Sequence, residues 1–312
     1  MGIWLEGKPL AEKIKEDVKR QAAHYQQTTG RVPGLAAVLV GDNKASQVYV
    51  RSKEKACQAL GLFSEVQAYP DDISQAFLEE KIAELNGRDE VDGILVQLPL
   101  PAHIDSYAII CSLSPDKDVD GLHPFNLGTI LTNRVGLRPC TPLGVVELIK
   151  EHKIPIEGKD VVVIGRSLLV GKSLAAMMTN ENGTVTVCHS KTRDLGQVCS
   201  RADILIAAMG KEVFVKPEFV KPGATVIDVG INSVSDPARV KAYFGEDEKR
   251  QKDLESKGYT LVGDVHPAAF ERAGAMTPVP GGIGPLTIAM LMKNTLDAFK
   301  RRRGIATPPL PY

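Results

Sequence analysis

The sequence lacks the cysteine and histidine patterns that mark disulfide frameworks and metal centres. Its five cysteines are scattered, odd in number and without a C-x-x-C pair, which argues against structural zinc and for a reducing compartment. Small buried apolar side chains are their simplest role. None of the six histidines belongs to an H-E-x-x-H pattern. We therefore expect no metal.

An excess charge of one sign and long apolar runs are also missing. The 38 Lys and Arg residues balance 38 Asp and Glu residues, so no overall field attracts nucleic acid or an anionic membrane. A small-molecule partner is expected instead. No apolar run reaches the length of a membrane span, and residues 1–10 lack the regions of a signal peptide. These absences predict a cytoplasmic protein.

Helical and strand patterns alternate through the first half of the chain. Apolar positions at helical spacing over residues 8–29 precede an apolar strand at 35–40. The next predicted elements are a helix at 48–61, a strand at 63–68, a helix at 74–86 and a strand at 93–97. Residues 99–142 are rich in Pro, Asp and Gly and predict a loop with one short helix at 106–111.

A second alternating series follows a predicted helix at 143–150. Its predicted strands are 160–164, 184–188, 204–207, 225–229 and 260–262, with a helix at 171–180. Strands this apolar are normally covered on both faces, which favours a largely parallel sheet. A last helix at 284–301 ends in a basic cluster that we expect to complement the helix dipole. The predicted fold class is α/β, with two α/β domains flanking a cleft.

The stretch VVVIGRSLLVGKS, residues 161–173, permits two interpretations. Its Gly-Lys-Ser tail is typical of a P-loop, but five residues rather than four separate Gly165 from Gly171. A dinucleotide-binding turn needs a glycine directly after a strand and small residues further on. Gly165, Ser167 and Gly171 supply these, although Ser167 replaces a glycine and Gly171 comes one residue late. The stretch fits a variant dinucleotide turn better than a P-loop, and a plain strand–turn–helix gives the same pattern.

Tyr49 and Lys53 lie four residues apart on a predicted helix, so both side chains share one face. A phenol near an ammonium suits proton transfer, because each group shifts the pKa of the other. A solvated lysine beside a half-buried tyrosine has the same spacing. Short-chain dehydrogenases also use Tyr-x-x-x-Lys, but there the pair follows the dinucleotide turn, whereas here it precedes that turn.

Three loops carry further candidates. Gln97 ends a strand, at the sheet edge where ligands gather in open α/β folds. Residues 116–121, DKDVDG, hold three carboxylates without the later glutamate of an EF-hand; they predict a turn or one buried carboxylate that binds an amidine-like edge. The glycines and prolines of residues 277–287 predict a rigid, open backbone that a flat ligand can approach closely.

Nine stretches, taken in order, resemble the methylenetetrahydrofolate dehydrogenase/methenyltetrahydrofolate cyclohydrolase (FolD) family. They are YVRSK (49–53), VQLPLP (96–101), DKDVDG (116–121), PCTPLG (139–144), GRSLLVGKS (165–173), CHSKT (188–192), VIDVGIN (226–232), GDV (263–265) and TPVPGGIGPLT (277–287). The resemblance spans nearly the whole chain. It implies NADP-dependent oxidation of 5,10-methylenetetrahydrofolate to the methenyl form and hydrolysis to 10-formyltetrahydrofolate, in one-carbon metabolism and purine biosynthesis. It also implies that the 165–173 turn holds the NADP pyrophosphate, and that the protein is a homodimer.

The resemblance also assigns residues by their place in these motifs. The implied catalytic residues are Lys53 as the central group, Tyr49 against the folate, Gln97 tuning Lys53 and Asp120 holding the pterin ring. Tetrahydrofolate derivatives are expected at Tyr49, Lys53, Gln97, Leu98, Asp120, Pro280, Gly281 and Gly282. NADP is expected at Gly165, Arg166, Ser167, Val170, Gly171, His189, Ser190, Gly230, Ile231, Asn232 and Thr277. Arg166, helped by Ser190, is the position implied for the 2′-phosphate.

The predicted domains are residues 1–142 plus 281–312 for folate binding and catalysis, and 143–280 as a Rossmann-type NADP-binding domain. Ser173 and His266 depart from the family, which usually has proline and often an acidic residue at these positions. Residues 233–258 are longer and more charged than the family's segment and predict a solvated helical insertion. Another NADP oxidoreductase would share the turn without needing VQLPLP, and a nucleotide-sensing module would tolerate loss of Lys53.

Overall fold

The computed structural model describes residues 2–305, except the side chain of Ala45, and these residues fall into two compact units. We name each unit by its main sheet. The six-stranded unit comprises residues 2–10 and 141–286, and the three-stranded unit comprises residues 11–140 and 287–305. The predicted domain boundaries differ from these units at residues 2–10, 141–142 and 281–286, which the prediction gave to the folate-side domain. Residues 306–312 of that prediction lie outside the described part of the chain.

Strands and helices alternate in both units. In chain order they are β1 (Ile3–Trp4), α1 (Gly7–Thr29), β2 (Gly34–Val40), α2 (Lys44–Leu60), β3 (Phe63–Tyr69), α3 (Gln75–Gly87), β4 (Gly93–Val96), α4 (Ser106–Ser112), α5 (Pro124–Leu131), α6 (Cys140–Glu151), β5 (Asp160–Ile164), α7 (Ser173–Asn180), β6 (Thr184–Cys188), α8 (Leu195–Cys199), β7 (Ile204–Ala207), β8 (Thr225–Asp228), β9 (Asn232–Val234), α9 (Pro237–Phe244), α10 (Glu248–Lys257), β10 (Thr260–Val262), β11 (Ala275–Met276) and α11 (Ile283–Arg302). A π-helical turn, Leu168–Lys172, leads into α7. Each helix and strand that the periodicity predicted is present, with its ends displaced by at most four residues.

The sheet of the three-stranded unit is parallel, with β2 between β3 and β4. All seven residues of β2 are buried, as expected for a central strand covered on both faces. Helix α2 follows β2 and is bounded by an Asn43 side chain that accepts from the Ser46 N–H and by Gly61 in the left-handed region. Helix α2 therefore begins four residues before the predicted position 48, at the Asn43 cap, and ends at Leu60, one residue before the predicted end.

The prediction of only one short helix between residues 99 and 142 was wrong. Two helices, α4 and α5, occupy this segment. Helix α5 begins at Pro124, where the missing N–H costs nothing, and His123 Nδ1 accepts from the Phe125 N–H at 3.0 Å. Pro124 was interpreted as a loop residue, although in this position it starts a helix.

The basic cluster at the end of α11 binds a buried carboxylate, a role that the helix-dipole prediction did not include. Asp92 is fully buried, and both Arg302 and Arg303 donate to its Oδ1, at 2.6 and 2.5 Å. Its Oδ2 accepts from the Gly34 N–H at 3.0 Å. Because burial raises the pKa of Asp92 and the arginines oppose that rise, the cluster keeps the carboxylate charged inside the unit.

The main sheet of the six-stranded unit is parallel, in the order β1-β11-β8-β7-β5-β6. Strand β5 lies between β6 and β7. The chain therefore moves to one side of β5 to form β6 and then crosses to the other side of β5 to form β7. This reversal makes the carboxyl ends of β5 and β7 the switch point at which open α/β sheets bind ligands. The Gly165 turn follows β5 directly, at this point.

Strands β1 and β11, at one side of this sheet, explain why residues 2–10 belong to the six-stranded unit. Strands β1 and β11 have two residues each, and Ile3 and Trp4 pair with Ala275 and Met276. Strand β11 pairs with β8 on its other side. A strand of two residues has no periodicity of its own, which is why the sequence did not reveal it.

Within residues 2–305, no helix has both the length and the apolar character needed to cross a lipid bilayer.

Candidate functional site

Lys53 and Gln97, 44 positions apart in sequence, are in direct contact. Lys53 projects from α2 and its Nζ donates to Gln97 Oε1 at 2.9 Å. Gln97 follows β4, and its own Nε2 donates to the Leu98 carbonyl at 2.8 Å. This second bond fixes the amide so that its oxygen faces the lysine. The pair is thus held by a helix face and a strand end, both rigid elements.

Burial and a carboxylate set the protonation of Lys53. Burial lowers the pKa of the Lys53 amine, and the negative charge of Asp120 opposes this effect. Burial raises the pKa of Asp120 to about 6, against the attraction of Lys53. The Cys140 thiol is completely buried and its pKa lies well above its usual value, again because of burial. The cluster therefore contains an amine that loses its proton more readily than a solvated lysine, with a carboxylate nearby.

The DKDVDG stretch is a turn in which Asp116 is exposed, whereas Lys117, Asp118 and Val119 are buried and lead into Asp120. Asp118 is buried and accepts from the His123 N–H at 2.7 Å and from Asn126 Nδ2 at 2.8 Å. Asn294 of α11 donates to the Val119 carbonyl at 2.8 Å. Asp120, half-buried, is the carboxylate left to face Lys53. The interpretation of the stretch as a turn is confirmed, and the binding of an amidine-like edge by one of its carboxylates stays a prediction.

Lys117 is a residue of this turn that the sequence did not single out. It is 3% exposed, and its Nζ donates to the carbonyls of Leu85 and Arg88 at the end of α3. A cation suits a helix C-terminus, where carbonyls lack partners. Burial lowers the pKa of Lys117 to about 8. The neighbouring carboxylates were compared with those of an EF-hand loop, whereas Lys117 anchors the turn to α3.

Tyr49 lies one helical turn before Lys53 on α2 and is 45% exposed. Leu98 follows Gln97 and precedes Pro99 through a cis peptide bond. Both residues are in the three-stranded unit, as are Lys53, Gln97 and Asp120. The structure therefore gathers five of the eight predicted folate residues in one unit; Pro280, Gly281 and Gly282 belong to the other.

The 165–173 turn has the geometry of a dinucleotide turn. Gly165 has φ +137°, and a Cβ there would lie 2.2 Å from the Ala208 carbonyl oxygen. A Cβ on Gly171 would lie 2.2 Å from the Gly165 carbonyl oxygen. Ser167 Oγ accepts from the Val170 N–H at 3.2 Å and so begins the helical segment. Only glycine fits at the two predicted positions, because backbone rather than a movable side chain occupies the space.

The structure places five predicted NADP residues around one cavity of about 280 Å³. It is lined by Gly165, Arg166, Ser167, His189 and Ser190, together with Ile164, Leu195, Ala208, Met209, Lys211 and Phe214. Arg166 and Ser190 are exposed. Cationic and hydroxyl groups beside a glycine turn suit a nucleotide phosphate. Sequence reasoning missed Lys211, although the Gly-Lys pair just after the apolar strand β7 was a usable signal.

Two buried aspartates hold the loops around this cavity. Asp264 is fully buried and accepts four hydrogen bonds, from the N–H groups of Met209 (2.7 Å), Gly210 (3.0 Å) and Lys211 (2.8 Å) and from Asn232 Nδ2 (3.0 Å). Asp228 accepts from the N–H groups of Gly230, Asp264 and Val265, each at 2.9 Å. Burial raises the pKa of Asp228 to about 7. The GDV stretch thus has a structural role, which is to anchor the loop after β7.

The remaining predicted NADP residues differ in their surroundings. Ile231 is 46% exposed, whereas Gly230 is buried and a Cβ there would meet the Asp264 side chain at 2.3 Å. Asn232 is tied to Asp264, as described above. Thr277 is fully buried, and its Oγ1 accepts from the Asp228 N–H at 2.7 Å. Asn232 and Thr277 therefore use their polar groups to shape the backbone around Gly230.

The two departures from the family pattern have local roles. Ser173 Oγ donates to the Leu168 carbonyl at 2.5 Å, which closes the turn without proline. His266 Nδ1 accepts from the Ala268 N–H at 3.2 Å and caps a short 3-10 turn. Neither residue lines the cavity at Arg166.

These features define a class of protein: an α/β enzyme with a dinucleotide-binding unit and a second unit that carries a half-buried lysine beside a carboxylate. Two family models match the chain. Residues 5–120 match the tetrahydrofolate dehydrogenase/cyclohydrolase catalytic domain, and residues 139–303 match the NAD(P)-binding domain of the same family. The chain belongs to the tetrahydrofolate dehydrogenase/cyclohydrolase family.

Individual relatives agree with the family models. A bifunctional protein FolD from Koribacter versatilis is 53% identical over 96% of this chain and 97% of its own length. One from Acetivibrio thermocellus is 49% identical over 95% and 96%. The crystal structure of a FolD enzyme from Campylobacter jejuni is 42% identical, with a TM-score of 0.87 over 97% of this chain and all of its own. A Trypanosoma brucei FolD structure, complexed with NADP and an inhibitor, is 39% identical with a TM-score of 0.87 over 97% and 98%.

These comparisons confirm several predictions made from the sequence. The family, the two-domain α/β fold and the dinucleotide cofactor are as predicted. The chain is an enzyme, a bifunctional tetrahydrofolate dehydrogenase/cyclohydrolase. The proposals that follow concern the reaction's details and the residues that perform it.

Proposed function

We propose that the protein oxidises 5,10-methylenetetrahydrofolate with NADP and hydrolyses the resulting 5,10-methenyl form to 10-formyltetrahydrofolate. The observation that carries this proposal is the Lys53 amine, half-buried, hydrogen-bonded to Gln97 and opposed by the Asp120 carboxylate. Such an amine suits proton transfer at neutral pH. The Trypanosoma brucei relative, complexed with NADP, supports the choice of cofactor.

Lys53 is the residue that we assign to hydrolysis. A water oxygen adds to the electron-poor methenyl carbon, and the neutral amine takes the proton that this water loses. The bond between this carbon and N5 then breaks, N5 takes a proton, and the hydroxyl proton is lost, which leaves the formyl group on N10. The amine must be unprotonated for the first step, which burial favours. Gln97 holds Nζ in one place, and Asp120 keeps the lysine from losing its proton too easily.

The oxidation is a hydride transfer and does not need the proton transfer that we assign to Lys53 in hydrolysis. NADP, when bound, accepts the hydride from the methylene carbon. The protein's part is alignment, through the Gly165 turn, the backbone at Gly230 and the exposed Ile231. Tyr49, Leu98 and the Pro280–Gly282 backbone complete the proposed folate contacts. In this assignment residues 11–140 with α11 serve folate chemistry, and the six-stranded unit serves NADP.

NADP is proposed over NAD because of Arg166. Its guanidinium is exposed beside the cavity, and a guanidinium pairs well with a phosphate that NAD lacks. Ser190 and Lys211 line the same cavity. Lys211 is therefore a second cation available to the 2′-phosphate.

The cellular setting is proposed from family membership. We place the protein in the cytoplasm as a homodimer that supplies one-carbon units, including those for purine biosynthesis. Light scattering of the purified protein tests the dimer: a monomer mass would contradict it.

The deciding experiment compares the wild type with Lys53→Met. We expect the wild type to make NADPH from methylenetetrahydrofolate and to hydrolyse methenyltetrahydrofolate. In Lys53→Met, hydrolysis should fall by about 10²–10⁴-fold, the usual contribution of a general base. Folate binding and some NADPH production should remain, and Lys53→Arg should not restore hydrolysis, because a guanidinium stays protonated.

Lys55→Met is the matched control, since Lys55 is an exposed lysine of the same helix. It should retain both activities. Hydrolysis by Lys53→Met close to that of the wild type would remove Lys53 from the mechanism and leave Asp120 as the next candidate.

A further inference from the structure

The charged segment 233–258 and the two strands that flank it, β9 and β10, form a small subdomain of the six-stranded unit, residues 232–262. Helices α9 and α10 pack with the antiparallel pair β9 and β10. Their shared core consists of Val213, Val234, Val240 and Val262, with Tyr243, Phe244 and Leu254 against it. The prediction of a solvated helical insertion is right for the charged outer faces and wrong for this inner face.

One charged side chain of the segment, Arg250, points inward. Only 12% of it is exposed, although it belongs to a helix of which no residue is fully buried. Its guanidinium lies 3.6 Å above the Phe244 ring centroid, and Asp247 is 3.5 Å from its Nε. These contacts hold the planar group in one orientation.

The fixed guanidinium donates to two carbonyls. Arg250 Nη1 donates to the Leu261 carbonyl at 2.6 Å, within the subdomain. Nη2 donates to the Val279 carbonyl at 2.9 Å, outside it. Val279 lies in the loop 277–282, between β11 and α11, directly before Pro280, Gly281 and Gly282. The charged segment is thus tethered through one side chain to the loop that carries three proposed folate residues.

The loop 277–282 is anchored at its ends and spans a cavity in its middle. At one end the Thr277 N–H donates to the Val226 carbonyl at 3.0 Å, and at the other the Gly7 N–H donates to the Gly281 carbonyl at 3.0 Å. A cavity of about 310 Å³ is lined by Pro278, Val279, Pro280 and also Arg250. Packing against the middle of the loop is therefore incomplete, so a hydrogen bond to Val279 has more influence there than in a filled core.

We propose that Arg250 is a positioning residue, which holds the Val279 carbonyl and so sets the Pro280–Gly282 backbone for the folate substrate. This inference rests on the proposed function, because that function makes the loop a substrate contact. Arg250 acts through the loop and does not touch the reacting atoms. It gives the charged segment a role in substrate affinity.

The test compares Arg250→Gln with Lys252→Gln, an exposed basic residue on the same helix. In Arg250→Gln we expect KM for methylenetetrahydrofolate to rise about tenfold, the equivalent of one lost hydrogen bond to a charged group. The Kd for NADP should not change, because the cavity at Arg166 is lined by other residues. Lys252→Gln should match the wild type in both quantities.

Hydrogen exchange supplies a second readout that does not depend on turnover. Peptides covering residues 277–282 should exchange faster in Arg250→Gln than in Lys252→Gln, while peptides covering 161–173 should not. Arg250→Lys should give a smaller rise in KM, because an ammonium keeps the charge without the two-pronged geometry. If Arg250→Gln fails to fold, the same comparison is made with Arg250→Lys.

An unchanged folate KM with unchanged loop exchange would overturn the inference. So would a rise in folate KM that is matched by the Kd for NADP and by a general gain in exchange, since that pattern indicates loss of structure alone. A wild type without either folate activity would instead refute the proposed function, and the loop exchange would still decide whether Arg250 holds the loop.

Discussion

Around Lys53 the groups proposed for proton transfer are side chains partly withdrawn from water, whereas along the 165–173 turn the groups proposed for cofactor binding are the backbone and the exposed Arg166. Burial displaces the pKa values of Lys53, Asp120 and Cys140. At the turn, Gly165 and Gly171 let backbone segments approach each other closely, and Arg166 is exposed. The two regions belong to different units of one chain. Burial changes the protonation of the groups at Lys53, whereas Arg166 at the turn is exposed to solvent.

The difference follows from what each region must do. A proton-transfer group works best when its pKa is near the working pH, and for a lysine this requires removal from water. A phosphate site needs charge that is permanent and N–H groups that the ligand can reach. Mutations should therefore act through protonation at Lys53 and through shape and charge at the turn.

The largest effect at the turn is expected for Gly165→Ala. Alanine at φ +137° costs about 1–3 kcal/mol in strain. The Cβ contact with the Ala208 carbonyl, 2.2 Å away, adds about 1–3 kcal/mol of overpacking. We expect a lower free energy of unfolding, which urea denaturation measures. We also expect loss of measurable NADP binding, which titration calorimetry measures.

Gly158→Ala is the control that separates the backbone strain of a positive φ from the Cβ contact with neighbouring atoms, since Gly165→Ala has both. Gly158 also has a positive φ, +70°, but a Cβ there meets nothing within 4 Å. This variant should lose some stability and keep NADP binding. Equal NADP loss in both variants would mean that the turn is sensitive to strain in general rather than to the approach of Ala208.

A smaller effect is expected for Arg166→Ala. The variant should lose about 1.5–3 kcal/mol of NADP binding, the scale of a hydrogen bond to a charged group, or roughly 10- to 150-fold in Kd. Binding of NAD should be unaffected, since it has no 2′-phosphate. Lys172→Ala, at an exposed lysine of the same turn, serves as the control. If NADP affinity is preserved in Arg166→Ala, the phosphate is read elsewhere, with Lys211 as the next candidate.

The smallest change, a displacement of a pH profile, tests the other side of the comparison. Asp120 raises the pKa of Lys53, so Asp120→Asn should lower it further. The neutral amine then persists to lower pH, and the acid limb of kcat for hydrolysis should move to lower pH. Asp116→Asn, at an exposed carboxylate of the same turn, should leave the limb in place. A limb that stays fixed in Asp120→Asn would show that Lys53 does not sense this carboxylate.

Local signals in the sequence were enough for most helices and strands. The apolar run of β2 and the glycine after β5 depend on neighbouring residues only, so both were predictable. Prediction failed where the signal was ambiguous, as at Pro124, or where the element exists only through pairing, as for β1 and β11. The family motifs named the candidate site residues. The Gly-Lys pair after β7 was the one available signal for Lys211, and no pattern in the chain indicated that Arg250 contacts a loop.

The sequence by itself determined the alternation of elements, the two glycine positions of the turn and the candidate residues of the site. Only the tertiary structure decided that Lys53 contacts Gln97, 44 positions away, and that Asp120 is the carboxylate that faces it. The tertiary structure also decided that Asp264 anchors the loop after β7 and that Arg250 reaches Val279. The physical reason is that periodicity and turn chemistry act over a few residues, whereas desolvation, and the pKa changes it causes, arises only when distant segments exclude water together.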